Sequence, residues 1–409
     1  MRVCPIARKG QLGNLPKIPI SRGGEMTSQY QEAPTTEFNA KNGLALYIAF
    51  ELSRKKWKLG ISDGRSRSVR IVTIAAQDWK AFEREVEKAR RHYGLEETTP
   101  LRTCYEIGRE GFWIHRALIQ QDIDNVVVDA ASIEVNRRRK RAKTDRMDAE
   151  KLVRQLIRYW DGDQRVWSVV RVPDAEAEDA RQVHRDMEVL KRERTRHRLR
   201  IQSLLFTQGI DIAVNAKFLE RLDQLRCWDE TPLPERMKAR LRREYQRLQI
   251  VNADLLSLRK QQENQLKSEK TPAMNKVTRL EQLRGIGRTS SWVFVMELFG
   301  WRHFDNRRQL ASAIGITPTP YQSGDSEREQ GISRSGNRRI RSLAVEIAWS
   351  WLRFQPTSRL SRWYQQRFGA GGPRLRKIGI VAMARRLVID LWRYLEQGIM
   401  PEGARLKTC

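Results

Sequence analysis

The feature that most restricts the fold is a series of short apolar runs, which first follow one another directly and then alternate with helical patterns. The first three runs are "LALYIAFELS" at 44–53, "WKLGISD" at 57–63 and "VRIVTIA" at 69–75. Apolar runs of about four to eight residues bounded by polar residues predict strands, and short gaps between them predict a meander. The globular part of the chain is therefore expected to begin with three neighbouring strands.

Helices and strands alternate after this meander. Helices are predicted over 79–94, 111–121 and 146–158, and strands over 102–108 and 125–132. Three strands followed by alternating helices and strands are typical of a ribonuclease H-like α/β domain. This part of the sequence therefore predicts an α/β fold of that kind.

The rest of the chain is predicted to be helical. Apolar residues occupy heptad positions in 176–206 and 236–267, which predicts a coiled-coil arm for dimerisation or spacing. Residues 277–299 have the helix, Gly-x-Gly turn and helix of a helix-hairpin-helix, and a polar loop is predicted over 317–337. The predicted domains are a disordered lead-in at 1–40, the α/β domain at 41–172, the coiled-coil arm at 173–275 and a mostly α-helical C-terminal domain at 276–409.

The charge of the chain indicates its class of partner. It has 78 Lys and Arg against 49 Asp and Glu, a formal net charge of +29. Such an excess attracts nucleic-acid phosphates over long distances. No apolar run approaches roughly 18 residues, so no membrane-spanning helix is expected.

Cysteine and histidine usage limits the metal chemistry. The cysteines are scattered without a CxxC pair, and the histidines form no HExxH motif. Neither a zinc site nor a disulfide framework is expected, a reducing cytoplasm fits, and any metal would need oxygen ligands.

Two segments are predicted to contact nucleic-acid phosphates. The first is a basic run before the 146–158 helix, and the second is the Gly-x-Gly turn, whose backbone N–H groups could bind a phosphate. An ordinary tight turn remains the alternative for the second. The predicted contacts are Arg137, Arg138, Arg139, Lys140, Arg141, Lys143, Gly285 and Gly287.

Four carboxylates are expected to meet at one end of the predicted sheet. Glu51 lies on the first strand, Glu106 ends the fourth, and Asp145 and Asp148 are three residues apart at a helix start. Acids in a first turn also complement the helix dipole, which explains one of them but not all four. Two like charges 4 Å apart repel by about 4 kcal/mol at an effective dielectric near 20. The cluster should therefore take up protons or bind divalent cations, and Mg²⁺ suits an all-oxygen site.

Several motifs resemble one family. "YEIGREGFWIHRAL", "KTDRMDAEKL" and, further on, "LRGIG", "IGITPTPYQSG" and "RSGNRRIR" are similar to DEDD-type transposases of the insertion sequence 110/1111 family, across about residues 44–355. The resemblance implies a RuvC-like N-terminal domain, a coiled coil and a C-terminal transposase domain. It also implies that Glu51, Glu106, Asp145 and Asp148 bind Mg²⁺ and are catalytic. The family has Asp where this chain has Glu51, and Asp63 and Asp129 are the possible substitutes.

The resemblance also implies a nucleophilic serine. The family's "SSG" reads "YQSG" here, which assigns the role to Ser323. From the residues alone, Ser323 could equally be a turn residue. Arg334, Arg338 and Arg339 follow in sequence and are predicted to bind phosphate oxygens.

The sequence therefore predicts an insertion-sequence transposase that cuts and rejoins DNA in a bacterial or archaeal cytoplasm, associated with the nucleoid. Its expected partners are the DNA of the element ends and target, a structured guide RNA implied by the resemblance, and further copies of the chain, as a dimer or tetramer through the coiled coil. One alternative is a metal-dependent nuclease of the Holliday-junction type, which uses water and not Ser323. The other is a degenerate copy that binds nucleic acid without cutting it.

Overall fold

The computed structural model describes residues 44–133, 145–323 and 326–407. The chain divides into two compact units, Met1–Val172 and Pro173–Cys409. The predicted lead-in at 1–40 and the basic run Arg137–Lys143 lie outside the described residues, so both stay predictions. Within the described part, no helix is long and apolar enough to cross a membrane.

The first unit is built on a mixed five-stranded sheet, as the sequence predicted. Its strands are β1 (Leu46–Leu52), β2 (Lys56–Ser62), β3 (Arg70–Ala75), β4 (Leu101–Glu106) and β5 (Asp124–Val128), in the order β3-β2-β1-β4-β5. The meander β1-β2-β3 is antiparallel, whereas β4 and β5 run parallel to β1. Its helices are α1 (Trp79–Tyr93), α2 (Trp113–Ile119) and α3 (Asp145–Trp160).

The two faces of this sheet have different covers because side chains alternate along each strand. Ile48 and Phe50 of β1 pack with Phe82 of α1 in one apolar cluster. Tyr47 and Ala49 point the other way and pack with α3 in a second cluster. The odd-numbered positions of β1 therefore face α3.

The second unit is mostly helical. It contains α4 (Ala175–Asp179), α5 (Gln182–Phe206), α6 (Phe218–Leu222), α7 (Glu235–Ser268), α8 (Pro272–Glu281), α9 (Arg288–Phe294), α10 (Arg307–Ile314), α11 (Arg338–Phe354), α12 (Arg359–Tyr364) and α13 (Pro373–Gln397). Single π-helical turns follow α9 at Val295–Phe299 and α12 at Gln365–Gly369. The long helices α5 and α7 pack along each other through Met187, Val251 and Leu255, so apolar heptad positions of the predicted arm are filled within one chain.

One expectation for this unit was wrong. The segment predicted as a polar loop over 317–337 contains a two-stranded antiparallel sheet, β6 (Pro318–Ser323) and β7 (Ser326–Ile332). Strand formers such as Thr319 and Tyr321 lie between prolines and glycines, and the sequence reading gave those breakers too much weight.

Candidate functional site

Glu51 and Glu106 lie side by side at one end of the sheet. Phe50 of β1 pairs in parallel register with Tyr105 of β4, so the next residue on each strand is a glutamate. Because Ala49 and Cys104 face α3, the alternation of side chains places both glutamates on that same face. Glu51 is half-buried and Glu106 is exposed. Two of the four predicted acids therefore share an edge and a face of the sheet.

The other two acids are brought to this face by the start of α3. The helix begins at Asp145, with Asp148 in its first turn. It packs closely on β2, because a Cβ atom at Gly60 would lie only 2.6 Å from the carbonyl oxygen of Ala149. The glycine thus permits a backbone approach that sets the first turn of α3 against the strands.

A lysine lies among these acids. Lys58 of β2 is the cross-strand partner of Glu51, and its Nζ donates to Asp145 Oδ2 at 3.2 Å. The Lys58 side chain is 30% exposed, and that of Asp145 is 72% exposed. Sequence reasoning missed Lys58, although its position on a predicted strand beside the first one was a usable signal.

The carboxylates suit Mg²⁺ in their chemistry, but in the described part of the chain their side chains are not gathered into a metal site. Hard oxygen ligands are what Mg²⁺ prefers, and all four acids belong to one end of one sheet face. In the side-chain positions seen here, no group of three or more His, Cys, Asp or Glu among the described residues is close enough to hold a metal ion. Side-chain rotation would be needed to bring the ligands together.

Asp63 and Asp129, the two aspartates that could take the place of Glu51 as a metal ligand, lie at opposite ends of the sheet. Asp63 follows β2, which runs antiparallel to β1, so it lies at the opposite end of the sheet from Glu51. There Asp63 accepts hydrogen bonds from the backbone N–H groups of Arg65 and Ser66. Burial would raise the pKa of Asp63, but these hydrogen bonds lower it. Asp129 follows β5 at the same end as Glu106, one strand further out.

Ser323 lies at the tip of the small sheet in the second unit. It is the last residue of β6 and pairs with Ser326, the first residue of β7. The segment after β7 passes very close to the end of α10. A Cβ at Gly315 would lie 1.7 Å from the carbonyl oxygen of Ser335, and one at Gly336 would lie 2.3 Å from that of Ala313. These two glycines fix how the β6–β7 sheet joins the helical core.

Positive charge is concentrated where this segment enters α11. Arg334 and Arg338 are exposed, and Arg341 donates to the carbonyl oxygens of Ile314 and Ser335. The pKa of Arg341 is lowered, first by burial and then by the positive charges of Arg338 and Arg334. Arg334 and Arg338 therefore both lie near Arg341, and guanidinium groups are suited to binding phosphate oxygens.

Arg339 has a different environment from its neighbours. Its guanidinium donates to Glu188 at 2.5 Å and to Glu297 at 3.1 Å. Glu297 is buried in the first π-helical turn and also accepts hydrogen bonds from Arg185 and Asn337, with His184 at 2.8 Å. Burial would raise the pKa of Glu297, but the hydrogen bonds from His184 and Arg185 and their positive charge lower it far below its usual range.

Glu297 therefore connects the start of α5 with the start of α11. Asn337 is the N-cap of α11, and it precedes Arg338 and Arg339 directly. Sequence reasoning did not select Glu297, although one acid inside the apolar run "WVFVMELF" was a visible anomaly. Such an acid is expected to be paired once it is buried.

The Gly-x-Gly turn lies between α8 and α9, and several hydrogen bonds hold it in place. Gly285 has φ of +88°, and Ser350 Oγ donates to its carbonyl oxygen at 2.7 Å. Ile286 N–H donates to Leu283, and Lys407 Nζ donates to the Ile286 carbonyl. An open cleft of about 380 Å³ adjoins the turn. Gly285 and Gly287 both line it, which is where their predicted phosphate contacts would be made.

Comparison with known proteins identifies relatives along most of the chain. The family model described as "Transposase IS116/IS110/IS902 family" matches residues 277–363. A protein of Sinorhizobium fredii strain NGR234 named as a transposase, y4rJ, is 39% identical over 89% of this chain and 95% of its own length. The transposase for insertion sequence element IS1111A of Coxiella burnetii is 27% identical over 54% of this chain and 58% of its own.

Proposed function

This chain belongs to the IS116/IS110/IS902 family of transposases, and from this premise we propose that it cuts and rejoins DNA through Ser323, with Mg²⁺ held by Glu51, Glu106, Asp145 and Asp148. The observation that supports the proposal is that Glu51 and Glu106 are adjacent on the sheet face covered by α3, the helix that carries Asp145 and Asp148 in its first turn. A guide RNA, further copies of the chain and action on nucleoid DNA in the cytoplasm are parts of the same proposal.

The serine step is a transesterification. Ser323 Oγ attacks a DNA phosphorus, an Oγ–P bond forms, and the bond from phosphorus to the displaced sugar oxygen breaks. The serine gives up its hydroxyl proton and the displaced oxygen takes one up, so no external energy source is needed. Rejoining is the same exchange with another DNA hydroxyl as the attacking group.

Arg334 and Arg338 are proposed to hold the phosphate that Ser323 attacks. Arg334 lies in the segment that links β7 to α11 and Arg338 is the first residue of α11, and the repulsion of each with Arg341 would be relieved when a phosphate binds. Arg339 is proposed to contribute mainly by positioning, because its guanidinium is held by Glu188 and Glu297. Asn337 caps the first turn of α11, which carries Arg338.

When bound, Mg²⁺ would supply positive charge to DNA phosphate oxygens. The chain itself contributes the carboxylates and the close packing of α3 on β2 that orients two of them. Glu51 has one methylene more than the family's Asp, which shifts the carboxylate by roughly 1.5 Å, whereas Mg²⁺ demands near-ideal octahedral geometry.

A second candidate is a copy that binds nucleic acid without cutting it. The contact of Lys58 with Asp145 favours it, since a lysine ammonium then supplies charge that a metal ion would otherwise supply. Cleavage that depends on Mg²⁺ separates this candidate from an active transposase.

Oligomerisation is proposed to use the outer faces of the α5–α7 pair. The inner faces already contact each other, whereas Leu199, Ile250 and Leu256 are more than half exposed. Light scattering of the purified protein, compared with an Ile250→Lys variant, would give the number of copies and the face they use.

The deciding experiment mixes the protein with Mg²⁺, RNA transcribed from the element flanks and end-labelled DNA that spans an element end. A denaturing gel then shows whether the label migrates with the protein. We expect an adduct with the wild type and with Ser326→Ala, the residue paired with Ser323, and no adduct with Ser323→Ala. Free cleaved DNA that persists in Ser323→Ala would instead indicate a nuclease that uses water. If no product forms until Glu51 is replaced by Asp, the chain is a copy disabled at its metal site.

A further inference from the structure

A stretch of the second unit outside the residues discussed so far is strongly basic. Residues 347–389 contain nine Lys and Arg and no Asp or Glu. This stretch includes the end of α11, all of α12 and the first two thirds of α13. A solvated helix surface usually mixes both signs of charge. A long segment with one sign only indicates a polyanionic partner.

Some of the basic residues of α13 form a stripe along one side of the helix, and Arg386 lies to the side of that stripe. Arg374, Ile378 and Arg385 are separated by four and seven residues and so share one face, with Lys377 beside them. Residues 372–378 are all exposed. From Arg374 to Arg385 the stripe is about 17 Å long, at a rise of about 1.5 Å per residue. A strand with one phosphate per about 3.4 Å would place about five phosphates along it.

The start of α13 carries positive charges, which the helix dipole disfavours at an N-terminus. Arg374 and Arg376 lie in the first turn, which contains no acid, and Lys377 begins the next turn. Cations at a helix N-terminus oppose the helix dipole, and like charges three or four residues apart repel each other. A bound anion would remove both penalties. This violation of a local rule is of the kind found at functional sites.

Planar groups lie next to the stripe. The guanidinium carbon of Arg386 is 4.0 Å from the centre of the Trp363 ring, and Trp363 contacts Phe368 edge to face at 5.5 Å. Phe368 packs on α13 over Gly379, where a Cβ would come within 2.4 Å of the ring. Arg guanidinium planes and aromatic rings are surfaces on which unpaired bases stack.

We propose that Trp363, Arg374, Lys377, Ile378, Arg385 and Arg386 form a binding surface for single-stranded nucleic acid, here called the α13 surface. The basic stripe binds successive phosphates, and the Trp363–Arg386 pair together with exposed Ile378 contacts bases. A duplex hides the faces of its bases, so the apolar and planar groups favour a single strand. The inference goes beyond the proposed function, because it requires neither Ser323 nor the four acids.

The test measures binding of a fluorescent 12-mer single-stranded DNA, the same sequence as RNA, and the DNA duplex, each in EDTA so that no cleavage contributes. Anisotropy titrations at several salt concentrations compare the full-length wild type with Arg374→Gln/Lys377→Gln. The control is Arg240→Gln/Arg243→Gln, which removes two exposed charges with the same spacing from α7. The variants thus have equal net charge.

We expect the α13 variant to bind single strands at least tenfold more weakly than the control variant. The slope of log K against log salt should fall by about 1.4, since each lost contact on a single strand contributes about 0.7. Trp363→Leu should weaken binding about tenfold with little change in slope. The α13 variant should lose more affinity for one of the two single strands, and that strand, DNA or RNA, is the type of nucleic acid that the surface binds.

Equal affinities of the two double variants would overturn the proposal, as would a loss confined to the duplex. Thermal unfolding without nucleic acid provides the second readout. The Tm of Arg374→Gln/Lys377→Gln should stay unchanged or rise, because repulsion in the first turn of α13 is relieved. A clear fall in Tm would show that Arg374 and Lys377 stabilise the fold, and this result would also overturn the proposal.

Discussion

Lys58 Nζ lies 3.2 Å from Asp145 Oδ2, and the register of the sheet places the same lysine opposite Glu51. One ammonium group therefore belongs to the end of the sheet that carries four carboxylates. Because the Asp145 side chain is 72% exposed, this ion pair contributes little to folding stability. Its main consequence is that the Lys58 ammonium would compete with a metal cation for the carboxylates.

Replacing Lys58 by Met should strengthen Mg²⁺ binding, because the carboxylates lose a competing positive charge. Ligand binding raises stability as RT ln(1 + [L]/Kd), so tenfold tighter binding adds about 1.4 kcal/mol at saturation. Thermal unfolding with and without Mg²⁺ measures the effect. Lys56→Met is the control, an exposed lysine of the same strand that pairs with Ala75. An identical response of both variants to Mg²⁺ would argue against competition by Lys58.

Replacing Gly60 by Ala should push α3 away from β2, since the new Cβ would meet the backbone oxygen of Ala149 at 2.6 Å. Overpacking of this kind costs about 1–3 kcal/mol. Urea unfolding and Mg²⁺ titration should both report the change. Gly108→Ala serves as the comparison, because its Cβ would lie 3.4 Å from a flexible glutamate side chain. Equal stability of the two variants would mean that α3 can shift without cost.

Replacing Gly315 by Ala should destabilise the second unit more than replacing Gly331. Both glycines have positive φ, +68° and +89°, so both alanine variants incur the left-handed penalty of about 1–2 kcal/mol. A Cβ at Gly315 would in addition overlap the carbonyl oxygen of Ser335, whereas one at Gly331 meets nothing within 4 Å. Chemical denaturation should show a further loss of about 2 kcal/mol or more. Equal free energies of unfolding for the two alanine variants would contradict the close approach of Gly315 to the Ser335 carbonyl oxygen.

Replacing Glu297 by Gln should cost about 3–5 kcal/mol at neutral pH, since it removes the buried carboxylate that pairs with the partly exposed guanidinium groups of Arg185 and Arg339. The folded-state pKa of Glu297 lies below the ordinary value of 4.5. Its contribution is therefore present above about pH 4.5 and is lost as the pH falls towards the folded-state pKa.

The free-energy gap between wild type and Glu297→Gln should consequently narrow as the pH is lowered below about 4.5. Denaturant unfolding at several pH values measures it. Glu346→Gln, an exposed acid on α11, should show almost no gap at any pH. A gap for Glu297→Gln that stays constant down to low pH would show that the carboxylate charge is not what stabilises this region.

The sequence by itself determined the elements that depend on neighbouring residues. Short apolar runs located β1 to β5, and helical spacing with Gly94 as an end signal located α1. The types and local positions of Glu51, Glu106, Asp145 and Asp148 were also readable, since each lies at the end of a strand or the start of a helix. These features arise from local conformational preference and from burial of one face, which a linear pattern records.

Tertiary structure decided what lies next to these residues. Lys58 reaches Asp145 across 87 positions of sequence, and Glu297 contacts His184 across 113. The β6–β7 sheet formed in a segment whose glycines and prolines indicated a loop, because pairing between strands and the packing of Gly315 against Ser335 outweighed local preference. Such contacts depend on which distant surfaces fit and which charges are buried together, and no local pattern specifies that.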